Sequence, residues 1–168
     1  MKLECGELAT PLGDVRFAQS SGRVVALTFS ECWAAVERAL ERRLGPIEWV
    51  AARDAGDLEP RLRAYFAGDL ATLAGVEIEL AGTPFQRRVW NALREIPAGA
   101  TTSYGELARR LGAPKAVRAV GAANGANPLW LIVPCHRAVG ADGSLTGYAG
   151  GIERKRWLLA HEGAAHRA

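Results

Sequence analysis

Pro134-Cys135-His136-Arg137 places a thiol, an imidazole and a guanidinium on consecutive residues. The thiolate, not the thiol, is the nucleophile, and nearby positive charge favours it. Arg137 would supply such a charge. The preceding run Leu129–Val133, LWLIV, reads as a short buried strand, so Cys135 leaves that strand just after a proline, at a constrained edge position. Neighbouring side chains of an extended segment point to opposite sides. Direct contact between Cys135 and His136 is then awkward, and a bridging water is a natural solution. A Cys-His pair alone is usually an inert core thiol beside a satisfied histidine, so the surrounding chain must decide.

The remaining candidates for chemistry are few. Cys5 and Cys32 read as small hydrophobes. Three cysteines cannot all pair, and a reducing compartment, the cytoplasm, is expected. There is no CxxC and no clustered Cys/His set, which argues against a zinc site. No metal and no cofactor is expected.

The elements that must hold Cys135 are legible in outline. The chain has 168 residues, 49% hydrophobic and 23% charged, which is ordinary globular usage. No apolar run approaches the ~18 residues of a membrane span, and MKLECGELATPLG lacks the apolar core of a secretory signal. In the first half, Val15–Ala18 and Val24–Phe29 flank Ser20-Ser21-Gly22, a hairpin signal. Glu31–Leu44 has helical spacing closed by Gly45, Asp57–Phe66 is a second helix, and Val76–Leu80 alternates as a strand. This predicts a small α+β domain over residues 1–80 and a second domain over 81–168.

In the second half, Thr83 caps a helix that starts at Pro84, with a stripe of Phe85, Val89, Trp90, Leu93 and Ile96. Ser103 with Glu106 forms a capping box opening a helix through Leu111. Gly112-Ala113-Pro114 makes a tight turn, and a further helix runs from about Lys115 to Ala123. Two short helices around a glycine-containing turn match the helix-turn-helix pattern, although any αα-corner would look alike. A glycine-rich loop, Thr146–Gly151, and a helix, Ile152–His161, follow, and the tail Ala164–Ala168 is expected to fray.

Charge separates the halves. Residues 1–80 balance to −4 and residues 81–168 to +7, which points the second half at a polyanion. The helix after the turn is nearly bald: Ala116, Ala119, Gly121, Ala122, Ala123 and Gly125 are tiny. A helix reading the major groove would carry Arg, Asn or Gln. A bald helix instead permits close backbone approach to a narrow groove, with Arg118 as the long side chain placed to probe it.

With these residues in place, the chain resembles the O6-alkylguanine-DNA alkyltransferase (methylated-DNA–protein-cysteine methyltransferase) family. The resemblance runs over about 83–163, in SYGELARRLGAPKAVRAVGAANGANP, IVPCHR, GSLTGYAGG and ERKRWLLAHEG. It implies an N-terminal ribonuclease H-like α/β domain with an antiparallel hairpin, then a mainly helical, winged-helix-like DNA-binding domain carrying the cysteine. It implies single-turnover transfer of an alkyl group from O6 of guanine, with O4 of thymine as a further lesion, to Cys135 after base flipping from the minor groove. His136 would act as base through water, oriented by Glu162. Tyr104 would crowd the target phosphate and donate a proton toward guanine N3. Asn127 would hinge the recognition helix to the active-site segment, and the Cys135 and Ala138 carbonyls would read the guanine amino group. Tyr148, Ala149 and Gly150 would close the pocket. Arg118 would take the place of the flipped base, with Lys115, Ala116, Val117 and Gly121 also on the DNA. The implied partner is double-stranded DNA containing O6-alkylguanine, met by a monomer at the bacterial nucleoid and at no membrane.

Two departures stand out: Ala138 where the family usually has valine, and Trp130 where proline is common. Trp130, inside an apolar run, is expected in the core. The cysteine cluster of family members with a zinc-bearing N-terminal domain is missing. Singly, Glu162 reads as a solvated helix-end carboxylate, Arg118 as a phosphate contact, Asn127 as a C-cap and Tyr104 as a helix aromatic. Their occurrence together with PCHR favours the functional reading. Two rival classes are a DNA-binding module without turnover and a papain-like thiol hydrolase. The second fits poorly, because the chain lacks a separate late histidine with an asparagine partner.

Overall fold

The computed structural model describes residues 1–165, and the chain divides into two compact units. The first comprises Met1–Gly82 together with Pro128–Ile132; the second comprises Thr83–Asn127 and the chain from Val133 on. Pro128–Ile132, part of the second half by sequence order, therefore packs with the first unit. The class is mixed α+β, with six α-helices among the described residues.

In the first unit, β1 (Lys2–Leu8), β2 (Val15–Ser20), β3 (Arg23–Phe29) and β4 (Glu48–Ala51) form one sheet in the order β3-β2-β1-β4. The β2–β3 hairpin lies where the turn residues placed it, with Ser21 and Gly22 at φ 50° and 78°. β1 and β4 were not foreseen; they pair in parallel, Lys2 opposite Glu48 through Cys5 opposite Ala51. β1 alternates only over Lys2–Cys5 before Gly6 and Glu7 break the pattern, and β4, EWVA, is too short to show one. The helix α1 (Trp33–Leu44) is closed by Gly45, whose N–H bonds to Glu41. Its Trp33 and Leu40 join a core with Leu3, Ala18, Val25 and Ala26. The helix α2 (Leu58–Phe66) buries Leu58, Leu62 and Tyr65.

Two expected strands are not strands. Ile78 and Leu129 each make a single parallel bridge to β3, at Val24 and Leu27. The short edge of β3 is shared between two segments, so neither extends. This also covers a strand edge that would otherwise offer unpaired backbone. Beyond Leu129 the chain turns. Leu131 has φ 69°, and the Ile132 N–H reaches back to the Trp130 carbonyl at 2.9 Å. That is a γ-turn with a strained, left-handed centre. Trp130 is buried, its ring 5.8 Å from Phe29, as expected of a core residue.

The second unit begins with α3 (Pro84–Arg94), opened by a full capping box between Thr83 and Gln86. Val89, Trp90 and Leu93 are buried along it, and the Trp90 indole donates to the Ala123 carbonyl at 2.8 Å. The strand β5 (Thr102–Ser103) leads into α4 (Tyr104–Arg110), which Ser103 caps through the Glu106 N–H at 3.1 Å. Only that leg of the expected capping box forms as predicted. The Glu106 carboxylate turns outward to Arg109 and Arg110 instead, because two cations lie within reach of it on the same helix. After Gly112, at φ 70°, comes α5 (Val117–Gly125), two residues later at each end than expected. The strand β6 (Ala138–Val139) pairs in parallel with β5, Ala138 opposite Thr102. Last is α6 (Ile152–His161).

Candidate active site and nucleic-acid interface

Cys135 stands in a single 3-10 turn, Cys135–Arg137, not at a strand end. Pro134, at φ −79° and ψ 66°, lets the Cys135 N–H bond to the Val133 carbonyl at 2.8 Å. That is an inverse γ-turn, common at such junctions. Tight turns around Leu131 and Pro134 thus replace the expected strand, since neither centre has extended backbone. Asn127 secures the same place: its Nδ2 donates to the Val133 carbonyl at 2.9 Å.

Cys135, His136 and Glu162 are 3%, 0% and 5% exposed, so the helix-end carboxylate is not solvated. Glu162 follows α6 as its C-cap, with Gly163 at φ 73° and the Ala164 N–H returned to Leu159 at 2.8 Å. This is a Schellman ending, with its apolar contact made by Ala164 on Leu159. Ala164, expected to fray, is buried for that reason, while residues 166–168 of the expected tail lie outside the described residues. Gly99, at φ 87°, lies close below: a Cβ there would stand 3.2 Å from the Glu162 carbonyl oxygen.

One Glu162 oxygen accepts from His136 Nε2 at 2.9 Å and from Arg137 Nη2 at 2.8 Å; the other accepts from Arg137 Nε at 2.9 Å. Arg137 also donates to the Ile96 carbonyl at 2.6 Å. Burial pushes the Glu162 carboxyl up, but the hydrogen bonds and charge it receives outweigh this and hold it well below the usual carboxylate range. Burial pulls the His136 pKa down, against the pull of Glu162. At neutral pH the pair is therefore a carboxylate facing a neutral imidazole. The carboxylate can only accept, so Nε2 carries the ring proton. Nδ1 is left as a lone pair, buried and without a hydrogen-bond partner among the described residues.

Burial pushes the Cys135 thiol up to about 11, against a hydrogen bond from Asn127 and the charge of Lys155. The expectation that Arg137 acts on the thiol is corrected. Its planar fork is committed to Glu162, and the cation facing Cys135 is Lys155. Sequence reading missed Lys155, although the signal was present: Lys155, Leu158, Leu159 and Glu162 fall at i, i+3, i+4 and i+7, one helix face. Thr146 was also missed. Its hydroxyl donates to the Tyr104 hydroxyl at 3.1 Å. Burial raises the Tyr104 pKa, so the phenol is protonated at neutral pH.

The remaining expected residues are placed as follows. Ala138 is buried on β6 and its carbonyl accepts from Lys155 Nζ at 2.6 Å. Tyr148, Ala149 and Gly150 form a turn closed by the Gly151 N–H on the Tyr148 carbonyl at 2.9 Å, and Arg154 donates to the Gly150 carbonyl at 3.2 Å. On the other side of the unit's sequence, Lys115, Val117 and Arg118 are exposed, and Ala116 and Gly121 half-buried. A Cβ built at Gly121 or Gly125 would meet nothing within 4 Å. Among the exposed residues of α5 only Val117 and Arg118 are larger than alanine, so the rest of that side is open and bare.

Fold and site together define a mixed α+β protein with a buried thiol next in sequence to a carboxylate-held histidine. Residues 84–164 match the family model described as 6-O-methylguanine DNA methyltransferase, DNA binding domain. A methylated-DNA–protein-cysteine methyltransferase of Salmonella typhimurium is 49% identical over 160 residues, 94% of each chain. The crystal structure of Mycobacterium tuberculosis OGT in complex with DNA matches with a TM-score of 0.79 at 41% identity, covering 97% of this chain and 93% of that one. The O6-methylguanine-DNA methyltransferase of Pyrococcus kodakaraensis matches with a TM-score of 0.75 at 28% identity, over 96% and 99%. The chain belongs to the methylated-DNA–protein-cysteine methyltransferase family and is a methyltransferase of that kind.

Proposed function

We propose that this protein repairs double-stranded DNA by moving an alkyl group from O6 of guanine, and from the chemically similar O4 of thymine, onto Cys135 Sγ. The observation that carries this reading is the unpartnered Nδ1 lone pair of a neutral, carboxylate-held His136, next in sequence to a thiol that is protonated at rest. In a 3-10 turn, consecutive side chains diverge by about 120°, so a water relays the thiol proton to Nδ1. Glu162 steadies the imidazolium that forms. The thiolate attacks the alkyl carbon, the carbon–O6 bond breaks and its electron pair goes to guanine. Tyr104, accepting from Thr146, keeps its own proton to donate toward guanine N3. The thioether is stable and no residue here reverses it, so each molecule acts once.

O6 is buried in the base stack, and extruding the nucleotide costs a few kcal/mol, less when the pair is already weakened by damage. Arg118 fills the vacated place while the bare α5 side approaches the minor groove, with Lys115, Ala116, Val117 and Gly121 along the backbone. The Cys135 and Ala138 carbonyls read the guanine amino group. Asn127 hinges α5 to the thiol segment, and Tyr148–Gly150 close over the base. The order β3-β2-β1-β4, antiparallel except for β1–β4, supports a ribonuclease H-like first unit. The α4–turn–α5 pair with β5 and β6 supports a winged-helix-like second unit. Such a protein works as a monomer at the nucleoid; among the described residues no helix is long and apolar enough to cross a membrane.

The test is intact mass after mixing with an oligonucleotide duplex containing O6-methylguanine. A gain of one methyl on Cys135, and of no more than one, is expected. Binding without a mass change makes the chain a damage-binding module and overturns the proposal.

A further inference from the structure

Lys155 is 0% exposed, on the inward face of α6. Its Nζ donates to two carbonyls, Ala138 at 2.6 Å and Thr146 at 3.4 Å. The first belongs to β6, three residues after Cys135. The second belongs to the loop before Tyr148, and the Thr146 side chain in turn holds the Tyr104 hydroxyl. One ammonium therefore ties together the thiol segment, the loop and the phenol. The titratable groups facing it are Cys135 and His136. Among the described residues no carboxylate bonds to it, since Glu162 is occupied by His136 and Arg137. Burial pulls the lysine down to about 8. A buried cation without a carboxylate partner is costly, and a methionine or leucine would fill the same space without that penalty.

We propose that Lys155 is a positioning residue for the transfer reaction: its ammonium fixes the Ala138 carbonyl and the Thr146 loop at a set separation, so that the Cys135 thiol and the Tyr104 hydroxyl address the same base. This rests on the alkyl-transfer reading above. The ammonium also faces the thiol, so the same group favours the thiolate once it forms.

The experiment uses the full chain with Cys5→Ser and Cys32→Ser, and compares Lys155→Met, Lys155→Gln and Leu158→Ala with the parent. Two rates at Cys135 are followed against pH. One is carbamidomethylation by iodoacetamide, which requires no base pocket. The other is methyl uptake from free O6-methylguanine, which does. A charge-assisted hydrogen bond is worth about 1.5–3 kcal/mol. Lys155→Met should therefore slow methyl uptake about 10- to 100-fold. It should also move the iodoacetamide profile to higher pH, with its high-pH plateau unchanged within threefold. Lys155→Gln, which keeps an N–H donor, should fall between, and it carries the test if the methionine variant does not fold. Leu158→Ala, a buried truncation on the same helix face, should lower thermal stability without separating the two reagents. Equal slowing of both reagents at all pH, or equal loss of methyl uptake in Leu158→Ala, overturns the proposal. Failure of the parent to gain a methyl from O6-methylguanine DNA would instead overturn the function, and the iodoacetamide profiles tell the two failures apart.

Discussion

Replacing Glu162 by glutamine tests the proton relay most directly. Glutamine keeps the size of the side chain but removes the charge that His136 and Arg137 share. Two consequences follow. The Arg137 guanidinium is left buried without a counter-charge, and breaking a buried pair in this way costs about 3–5 kcal/mol. For a chain of this length that lowers the midpoint of thermal unfolding by roughly 6–20 °C. The substitution is thus not purely electrostatic, and Glu162→Gln/Arg137→Met is needed beside it, since it removes both charges and should regain most of the stability. The second consequence is chemical. With the Cys135 thiol pushed up to about 11, the unaided thiolate at pH 7 is on the order of one molecule in ten thousand. General-base assistance is worth about 10²–10⁴-fold, and loss of the orienting carboxylate in a comparable triad costs about 10⁴-fold. Both variants should therefore transfer methyl about 10²- to 10⁴-fold more slowly at pH 7. The parent rate should not climb above pH 7, because its neutral imidazole is already the active form, and should decline as pH rises through about 8 and the Lys155 ammonium is lost. The variants should climb about tenfold per pH unit as thiolate forms unaided. The assay is single-turnover methyl uptake from an O6-methylguanine duplex, read by mass and run below the unfolding temperature of each variant. Variant profiles parallel to the parent's, or recovery of the rate in the double variant, would refute the relay.

Cys135→Ser should abolish methyl uptake while duplex affinity changes by less than about threefold, because phosphate contacts do not involve the thiol; Cys5→Ser and Cys32→Ser should leave the transfer rate unchanged. Arg118→Ala should slow transfer from duplex DNA more than from the free base, since filling a vacated stack position matters only in a duplex; equal losses would reduce Arg118 to a phosphate contact. Gly99→Ala should destabilise the second unit by about 1–2 kcal/mol, seen as a lower midpoint in urea, because the residue sits at φ 87° and its Cβ would press on the Glu162 carbonyl.

Local chemistry carried much of this protein. Thr83-Pro84 and Ser103 had to open helices, because a side-chain oxygen satisfies an orphan N–H whatever lies beyond. Glu162-Gly163 had to end one, because only glycine takes the left-handed turn without penalty. The Ser21-Gly22 hairpin follows the same logic. The order PCHR, glycine-rich loop and WLLAHEG was enough to name the family and to nominate Cys135, His136 and Glu162, the last two of which the fold joins across 26 residues of chain. What the sequence could not carry were the relations between distant segments. β1 exists because β2 and β4 pair on either side of it, and β4 because β1 offers it an edge; a short polar strand reveals nothing of a partner about 45 residues away. LWLIV looked like a strand because its composition fits one, but the edge it meets on β3 accepts only one bridge before Leu131 turns. Arg137 seemed to serve the thiol because it is near in sequence; a buried fork goes to the carboxylate that can accept from it twice, Glu162, with the Ile96 carbonyl taking a third donor. Lys155 is the clearest case. Its type says surface, and only the enclosure of α6 by β6 and the Thr146 loop turns a lysine into a buried cation with two carbonyl ligands beside the nucleophile.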